Sequence, residues 1–560
     1  MILNKKKVLF AGWGAENKSD FYAHQIWGHT LKKIFSKIQF FDTKECYFKK
    51  GKNLLNQNFL QLIKQQEPEI LIMILFNDEF SPETLLKIKK INPQLKTILI
   101  SCDEDLKYDN FYKLISLFFD YKIISQKQVK NKYKKDNLKN IFFQVEYNLY
   151  KLKPINIKKV YDVTFIGRPK ADREEIMQHL ADNNIKIGLF GWEWNNYPDL
   201  KKYYGGFLNA ENYNKIINQT RINLCLTKAG YKEDQGAYNL KAKAFEVAQT
   251  NSFQLIEYFP EFLQFFNEKE IPTFKTKEEL LEKVKYYLKH KKQRDEIAKR
   301  AYNKLNKEYN RIGSLTKIFT QLFTKNFPEQ TLPKINKKTI TLSREQLFQS
   351  IEDLNKLTQD YDYITFNINN SQITSLRNYL QMYSLEKSNA EISCTDYYII
   401  NPQLGEYMLF RGDWAFRRCP EEFHKLLDID QLMTTKEFFL SNFQKFQDLA
   451  NNKSFKLINK TNTIFVSIPL IKIKKLRTIN YEAMTRAFEI RFIDKLFSSA
   501  SKKNIILNPY PYNLILHSIT KPFIFKHLKK SIFNKNNWDK LILNQKYLGN
   551  SFLTKFLKRF

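Results

Sequence analysis

Cysteine is scarce in this sequence and is never clustered. The 560 residues include five cysteines, which are Cys46, Cys102, Cys225, Cys394 and Cys419. They form no Cys-x-x-Cys pair, and no cysteine and histidine stand together at a spacing that suits a metal ion. The sequence therefore predicts a reducing compartment and no structural zinc site.

Long apolar runs are also absent. No stretch of 18 uncharged apolar residues occurs, which argues against a transmembrane helix. The segment Met1 to Lys7 leads directly into a strand pattern, without the features of a signal peptide. We therefore expect a cytoplasmic protein.

The length and composition predict a large folded protein with an excess of positive charge. A chain of this length suggests three domains, and a hydrophobic content of 43% with 15% aromatic residues is globular. The net charge of +34 has two explanations. One is a coding bias that raises Lys, Asn, Ile, Phe and Tyr together. The other is an anionic partner such as a nucleotide diphosphate, an acidic glycan or lipid headgroups. Nucleic acid is the least supported partner, because no compact Arg-rich cluster occurs.

The first 153 residues read as one Rossmann-like α/β domain. The pattern from Lys6 to Ala11 predicts a strand that ends at Gly12 and Gly14, where a tight turn can start a helix. Asn17 replaces the third glycine of the Gly-x-Gly-x-x-Gly motif. This departure excludes a dinucleotide fingerprint. Four more strands are predicted in the segments EPEILIMILF, KTILIS, FFDYKIISQ and NIFFQVEYN.

Acidic side chains follow the strand in KTILIS. Asp103 and Asp105 come after its carboxyl end, where parallel sheets bind ligands. His24 lies in the first predicted helix, beyond the glycine turn. The alternatives are capping or turn formation for the two aspartates and a surface or capping role for His24.

A second α/β domain is predicted from residue 154 to about residue 330. It opens with a strand from Tyr161 to Gly167, and Arg168 and Arg173 follow at the junction with a helix. Cations around a helix N-terminus suit a diphosphate by charge and by bidentate geometry. The alternative for these arginines is a solvated loop. Further along, Lys243 and Glu246 stand three residues apart on one predicted helix, where a simple ion pair is the alternative to a binding role.

The order of helix, strand, short helix, strand and two charged helices from Asn239 to Asn310 resembles the CgeB/YkvP-like glycosyltransferase family. The resemblance covers Tyr161 to Asn310 well and the first 150 residues more loosely. The residues that carry it are Lys243, Phe245, Glu246, Asn251, Glu257, Glu270 and the segments KTKEELLEKVKYYLKH and RDEIAKRA.

This resemblance implies a GT-B enzyme, a pair of Rossmann-like domains with a cleft between them, that transfers a sugar from a nucleotide-sugar donor without a metal or cofactor. It implies that His24 or Asp103 acts as the catalytic base and that the acceptor is a glycan, a protein or a cell-surface molecule. Trp192 has two interpretations, stacking on a nucleobase or filling the interdomain core. The donor-binding residues that the resemblance implies are Gly167, Arg168, Arg173, Trp192, Lys243, Glu246 and Glu270.

Several residues depart from the family pattern. Lys243 replaces an arginine, Asn251 stands where a glycine usually ends the helix, and Glu268 replaces the glycine before Glu270. The paired glutamates of retaining GT-B enzymes are absent around Glu246, which favours inversion. These departures keep an alternative open, a non-catalytic protein that binds nucleotide sugars or glycans on the same scaffold.

Residues 331–560 are predicted to form a third, accessory α/β domain. Its centre is similar to a GT-A nucleotide-sugar domain, but Asn367, Asn369 and Asn370 stand where that fold uses an Asp-x-Asp metal motif. Amides are poor ligands for hard cations, so a degenerate domain is expected. The basic amphipathic segment from Lys521 to Phe560 could lie on an anionic membrane, and the alternative is that it packs on this domain.

Overall fold

The computed structural model forms two compact units. Met1–Glu45 and Asn58–Pro333 make the first, and Cys46–Gln57 and Lys334–Phe560 make the second. The first unit holds two parallel sheets, and the second holds one mixed sheet. The structure describes residues 2–13, 23–75, 79–145, 152–228, 238–369, 371–401, 405–410, 427–451, 462–473 and 488–490.

The first sheet is wholly parallel in the order β2-β1-β3-β4-β5-β6. Its strands are β1 Lys7–Gly12, β2 Lys37–Asp42, β3 Ile70–Ile74, β4 Lys96–Ile100, β5 Tyr121–Ile124 and β6 Ile141–Phe143. All five residues of β3 are buried, as expected for a strand covered on both faces. Five of these strands match the sequence-based prediction. The edge strand β2 was missed, because only one of its residues is fully buried and its apolar run is short.

Helices connect the strands of this sheet. They are α1 His29–Ile34, α2 Thr43–Gln66, α3 Pro82–Ile91, α4 Glu104–Lys107, α5 Lys113–Ile115 and α6 Lys130–Lys135. Helix α3 shows how the sequence sets a boundary. The Ser81 hydroxyl accepts the Thr84 amide at 3.2 Å, and Pro82 occupies the first turn, where its missing N–H costs nothing.

The second sheet is also parallel, in the order β11-β10-β9-β7-β8. Its strands are β7 Tyr161–Ile166, β8 Ile187–Phe190, β9 Thr220–Cys225, β10 Gln254–Glu257 and β11 Thr273–Phe274. The helices are α7 Arg173–Asp182, α8 Ala210–Gln219, α9 Ala242–Gln249, α10 Lys277–Lys289 and α11 Lys291–Glu308. The predicted pair of Rossmann-like domains is therefore confirmed.

A further helix, α12 Arg311–Thr324, leaves the second sheet and packs under the first. Its Leu315, Phe319 and Leu322 join the core that includes Trp27 and Phe35. The segment after it stays on the same body, where the Asn140 amide donates to the Pro328 carbonyl at 2.8 Å. The sequence-based boundary at residue 330 groups this helix with the second domain, whereas its apolar side chains fill the first.

The second unit contains a mixed sheet, which follows the order β12-β13-β17-β15-β16-β19 within the described residues, with β18 paired to β15 and β14. The strands are β12 Thr339–Leu342, β13 Tyr363–Phe366, β14 Gln372–Ile373, β15 Ile392–Asn401, β16 Gly405–Phe410, β17 Leu432–Thr435, β18 Thr463–Ile473 and β19 Phe488–Ile490. The helices are α13 Arg344–Leu347, α14 Ile351–Thr358, α15 Arg377–Glu386, α16 Lys436–Ser441 and α17 Phe443–Ala450. Strands and helices alternate through its first half, as the sequence predicted.

The asparagine motif of this unit lies directly after β13. The Asn369 amide donates to both carboxylate oxygens of Asp428, at 3.1 and 3.2 Å, and Asp430 accepts the amide of Ile368 at 2.6 Å. Asn369 therefore holds a neighbouring loop in place. Asn370 and the segment Lys521 to Phe560 lie outside the described residues. Among the helices that are described, none has the length and apolar character needed to cross a membrane.

Candidate functional site

A polar cavity of about 240 Å³ opens where the carboxyl ends of the two parallel sheets meet. Pockets that hold a whole drug-sized ligand typically measure roughly 300 to 1,000 Å³, so this cavity fits one charged part of an extended ligand. Its lining comes from both sheets and consists of Asp103, Leu106, Arg168, Lys170, Arg173, Asn239 and Lys241. Four of these seven side chains are cationic.

A tight turn after β7 places three of the cations. Gly167 lies so close to the end of β8 that a Cβ atom on Gly191 would stand 2.6 Å from its carbonyl oxygen. Gly191 also has a φ of +116°, which favours glycine. The indole of the buried Trp194 donates to the same Gly167 carbonyl at 2.6 Å and fixes the turn from the core side. Arg168 and Lys170 follow in this turn, and α7 begins at Arg173.

Arg173 is the most firmly held cation of the cavity. Its two terminal nitrogens donate to the Arg168 carbonyl at 3.1 Å and to the Lys228 carbonyl at 2.7 Å, and its side chain is only 8% exposed. Burial lowers its pKa from the usual value, but a guanidinium remains charged at neutral pH. Its Nε has no hydrogen-bond partner among the residues that the structure describes. The guanidinium therefore keeps one buried N–H that no described residue satisfies.

Lys228 and Glu257 stabilise the backbone segment whose carbonyl accepts a hydrogen bond from Arg173. The Glu257 carboxylate, at the end of β10, accepts the backbone amides of Thr227 at 2.8 Å and Lys228 at 3.0 Å. The Lys228 ammonium pairs with Glu257 at 3.1 Å and with Asp172. Burial opposes the charged form of Lys228, but the hydrogen bond to Asp172 and the charge of Glu257 outweigh it and raise the pKa. Lys228 is thus neutralised locally and acts as a support for Arg173.

The acidic side of the cavity is built on the first sheet. Asp103 follows β4 in the left-handed conformation, with φ of 55° and ψ of 37°, and its side chain is exposed. The Asn239 amide, from the other sheet, donates to Asp103 at 3.3 Å and to Asp105 at 2.8 Å. Burial, together with the charge of Asp103, raises the pKa of Asp105 to about 6. Lys241 lies beside these carboxylates and lowers that pKa in part.

Lys243 and Glu246 lie on α9, and neither side chain lines the cavity. The Lys243 ammonium donates to the Ile166 carbonyl and lies 4.4 Å from the Phe165 ring centre. Burial lowers its pKa to about 8. Glu246 is 9% exposed and accepts the Tyr213 hydroxyl at 2.6 Å. Each side chain therefore has a partner other than its neighbour on the helix, and a ligand role for either remains a prediction.

The other predicted site residues are more dispersed. Trp192 is 43% exposed and forms an aromatic pair with Phe207, whose ring centre is 4.9 Å away. The interpretation that Trp192 fills an interdomain core is wrong, because its side chain is exposed. Trp194, two residues later, is buried in the core of the second sheet. Glu270 pairs with Lys304 at 2.8 Å and does not line the cavity. His24 belongs to the helical turn Ala23–Gly28, but its side chain is outside the described part of the structure.

The structure thus brings together Asp103, Arg168 and Arg173 from the predicted set and adds residues that the sequence did not indicate. Asn239 and Lys241 line the cavity, and Gln126, which follows β5, donates to the Asn239 amide oxygen at 3.2 Å. The rule that ligands bind beyond the carboxyl ends of parallel strands would have pointed to Gln126. No comparable signal marks Asn239, which stands 14 residues after the end of β9.

Comparisons with known proteins give the following similarities. Residues 169–318 match the model of a family described as glycosyl transferase-like. The match starts directly after Arg168 and ends inside α12. No curated protein sequence matches this chain.

Several solved structures share parts of the fold. Sucrose-phosphate synthase from Thermosynechococcus elongatus is 9% identical, with a TM-score of 0.41. A DNA-modifying β-glucosyltransferase solved with and without uridine diphosphoglucose is 15% identical, with a TM-score of 0.38. Anabaena HepE, solved in complex with UDP, is 10% identical, with a TM-score of 0.41. Each comparison covers 57% of this chain and 100% of the other. At this level of identity and structural similarity, these proteins share the fold alone with this chain.

Proposed function

We propose that this chain is a glycosyltransferase, related to the CgeB/YkvP-like family, that moves a sugar from a nucleotide-activated donor to a glycan, protein or cell-surface acceptor. The observation that carries the proposal is the cavity at the meeting strand ends. Four cations from the second sheet line the cavity together with an exposed carboxylate from the first. Three of the four lie within the region similar to glycosyl transferases, and Arg168 directly precedes that region.

The cations would bind the donor diphosphate. Arg173 and Arg168 can each offer more than one N–H to phosphate oxygens, and Lys170 and Lys241 add charge. As the bond between the sugar and the diphosphate breaks, negative charge grows on the leaving group. Fixed cations stabilise that charge in the transition state without reorganisation. We propose on this ground that transfer needs no divalent metal, and activity that survives chelation by EDTA would support it.

Asp103 would take the proton from the acceptor hydroxyl. Its carboxylate is exposed and lines the same cavity as the diphosphate-binding side chains, so an acceptor hydroxyl that enters the cavity can reach it. His24 remains the second candidate for this base. Glu246 and Trp192 would contact the ribose and the base of the donor, with Tyr213 sharing the Glu246 carboxylate.

The first test is nucleotide binding by thermal shift with UDP, GDP, CMP and dTDP. A nucleotide that binds the folded protein raises its melting temperature in proportion to the logarithm of ligand concentration over Kd. We expect one nucleotide to stabilise the wild-type protein and to lose most of this effect in Arg173→Ala. Lys291→Ala is the matched control, because Lys291 is an exposed cation on α11. The absence of stabilisation by all four nucleotides would contradict the proposal.

The second test separates an enzyme from a binding protein. A non-catalytic nucleotide-sugar or glycan-binding role is favoured by two observations. Lys243 is bound to the Ile166 carbonyl, and Glu268, a departure from the family, holds the Thr273 amide at 2.9 Å. Donor hydrolysis or transfer by the wild-type protein, weakened in Glu246→Ala, would identify an enzyme. Nucleotide-sugar binding without any turnover would favour the binding role.

A further inference from the structure

Three polar side chains from the two sheets meet on the acidic side of the cavity. Asn239 is 4% exposed, and its amide nitrogen donates to one oxygen of Asp103 at 3.3 Å and to one oxygen of Asp105 at 2.8 Å. Asn239 follows β9 of the second sheet, whereas both aspartates follow β4 of the first. A single amide group therefore joins the two halves of the site.

The orientation of this amide is fixed by a chain of hydrogen bonds. The backbone N–H of Leu240 donates to the Gln126 amide oxygen at 2.7 Å, so the Gln126 nitrogen must point the other way. That nitrogen donates to the Asn239 amide oxygen at 3.2 Å. The Asn239 nitrogen is left to face the carboxylates, which accept hydrogen bonds only. The assignment of the oxygen and the nitrogen of a side-chain amide is often ambiguous, but for Asn239 the neighbouring groups determine it.

The two carboxylates differ in their surroundings. Asp103 is exposed at the cavity, whereas the second oxygen of Asp105 is buried and has no hydrogen-bond partner among the described residues. Burial and the charge of Asp103 raise the pKa of Asp105 to about 6, and Lys241 is the cation that opposes this rise. Asp105 is therefore the carboxylate of the pair whose charged form is disfavoured, whereas Asp103 is the one that an acceptor can reach.

We propose that Asn239 is a positioning residue, which holds the Asp103 carboxylate toward the cavity. The inference rests on the proposed function. In the transfer step the acceptor oxygen would lose its proton to Asp103 as its bond to the sugar forms. The bond between the sugar and the diphosphate oxygen would break, and its electron pair would leave with the nucleoside diphosphate.

The position of Asn239 also links the base to the donor. Lys241, which would bind the diphosphate, stands two residues after Asn239 in the same short segment before α9. A diphosphate that binds Lys241 therefore fixes the backbone that carries Asn239. Donor binding at Lys241 would therefore steady the residue that positions the base.

The test compares Asn239→Ala and Asp105→Asn with the wild-type protein, with Asn306→Ala as control. Asn306 is exposed on α11, and its amide donates only within its own helix, to the Tyr302 carbonyl at 2.9 Å. We expect Asn239→Ala to keep most of its nucleotide affinity and to lose kcat by roughly 10- to 100-fold, as small misplacements of a reacting group do. The control should match the wild type in both.

The pH profile distinguishes positioning from a structural effect. Without the amide donor the charged carboxylates are less stabilised, so the acidic limb of kcat/KM should move to higher pH in Asn239→Ala. Asp105→Asn keeps an oxygen that can accept from the Asn239 amide, so its limb should stay close to that of the wild type. A variant that is only less stable would lower the amount of active protein and leave both limbs in place. If Asn239→Ala does not fold, Asn239→Ser decides, because its shorter side chain supports the carboxylate less well and its limb must still move.

A second readout does not depend on activity. Because the pKa of Asp105 is raised in the folded protein from 3.8 to about 6, its contribution to stability is present at low pH and lost as pH rises through about 6. The melting temperature of the wild type should therefore fall across this range relative to Asp105→Asn. An active wild type together with an unmoved acidic limb in the Asn239 variant would overturn the inference and leave the proposed function standing. A wild type that neither binds nucleotides nor transfers sugar would instead contradict the proposed function.

Discussion

Glu104 lies beneath the acidic pair, between the ends of β4 and β5, and is fully buried. Its carboxylate accepts the Ser101 hydroxyl at 2.7 Å, the Ser125 amide at 2.8 Å and the Ser125 hydroxyl at 2.7 Å. Burial raises its pKa to about 7, and the bonds to the two serines limit this rise. The carboxyl group therefore ties two neighbouring strand ends together and titrates near neutral pH.

We expect Glu104→Gln to change how stability depends on pH. The folded pKa of Glu104 exceeds its ordinary value of 4.5, so its stabilising contribution is complete below pH 4.5 and is lost as pH rises through about 7. The wild type should therefore melt at a lower temperature at pH 8 than at pH 5, and this difference should shrink in Glu104→Gln. Circular dichroism melts at both pH values check this. Equal differences in the two proteins would contradict it. Glu104→Ala is expected to be less stable at every pH, because it leaves buried donors unpaired.

At this scale the sequence predicted residues that follow strands directly. Asp103 and Arg168 were found because each stands within three residues of a strand end, and the strand-end rule is local. Arg173 was found because it stands at the junction with the helix that follows β7. Trp192 and Trp194 show the limit of that reasoning. Both lie just after β8, yet one is exposed and the other is buried. The buried indole of Trp194 donates to the Gly167 carbonyl, just after the neighbouring strand β7, and a local rule does not predict such a contact.

At the scale of elements, helix α12 completes the hydrophobic core of the first sheet. Phe319 is fully buried, and its ring meets that of Phe35 edge to face with 5.0 Å between their centres. The apolar spacing of this helix is readable from the sequence, but its partner strands and helices lie about 200 or more residues earlier. Packing between segments so far apart in the chain leaves no local signal in the sequence. The place of α12 in the first core was therefore not predicted.

We expect Phe319→Ala to destabilise the protein by about 3 to 5 kcal/mol, the usual cost of removing a buried aromatic ring. The loss of stability should be concentrated in the first sheet, because the empty space left by the ring lies in the core of that sheet. Hydrogen exchange should show lower protection for β1, β3 and β4 than for β7 and β9. Phe207→Ala is the control, since Phe207 is 60% exposed and its removal should cost roughly 1 kcal/mol or less. An equal loss of protection in both sheets would contradict the assignment of α12 to the first core.

At the scale of the whole molecule, the net charge of +34 does not by itself identify a partner. Within the described residues several cations near the site are already paired. Lys228 meets Asp172 and Glu257, and Arg168 meets Glu193 at 3.6 Å. The local charge around the cavity is therefore more balanced than the overall count suggests. This balance favours a small anion such as a diphosphate over a long polyanion.

Salt dependence measures this difference. We expect nucleotide affinity to fall only modestly between about 50 and about 200 mM salt, whereas a protein that neutralises many phosphates loses affinity by orders of magnitude over that range. Titrations with the stabilising nucleotide and with a single-stranded DNA oligonucleotide check this. DNA binding that is tight, steeply dependent on salt and unaffected by Arg173→Ala would identify a nucleic-acid-binding protein instead.

The return of α12 to the first sheet also sets the order in which the chain can mature during synthesis. Every strand of that sheet has been translated by residue 143, but the helix that closes its core ends only at Thr324. The domain of the first sheet therefore stays incomplete, with part of its apolar surface exposed, until the second sheet and α12 have left the ribosome. A premature stop at residue 308 would leave the second sheet intact and would impair the domain whose own strands had been made in full.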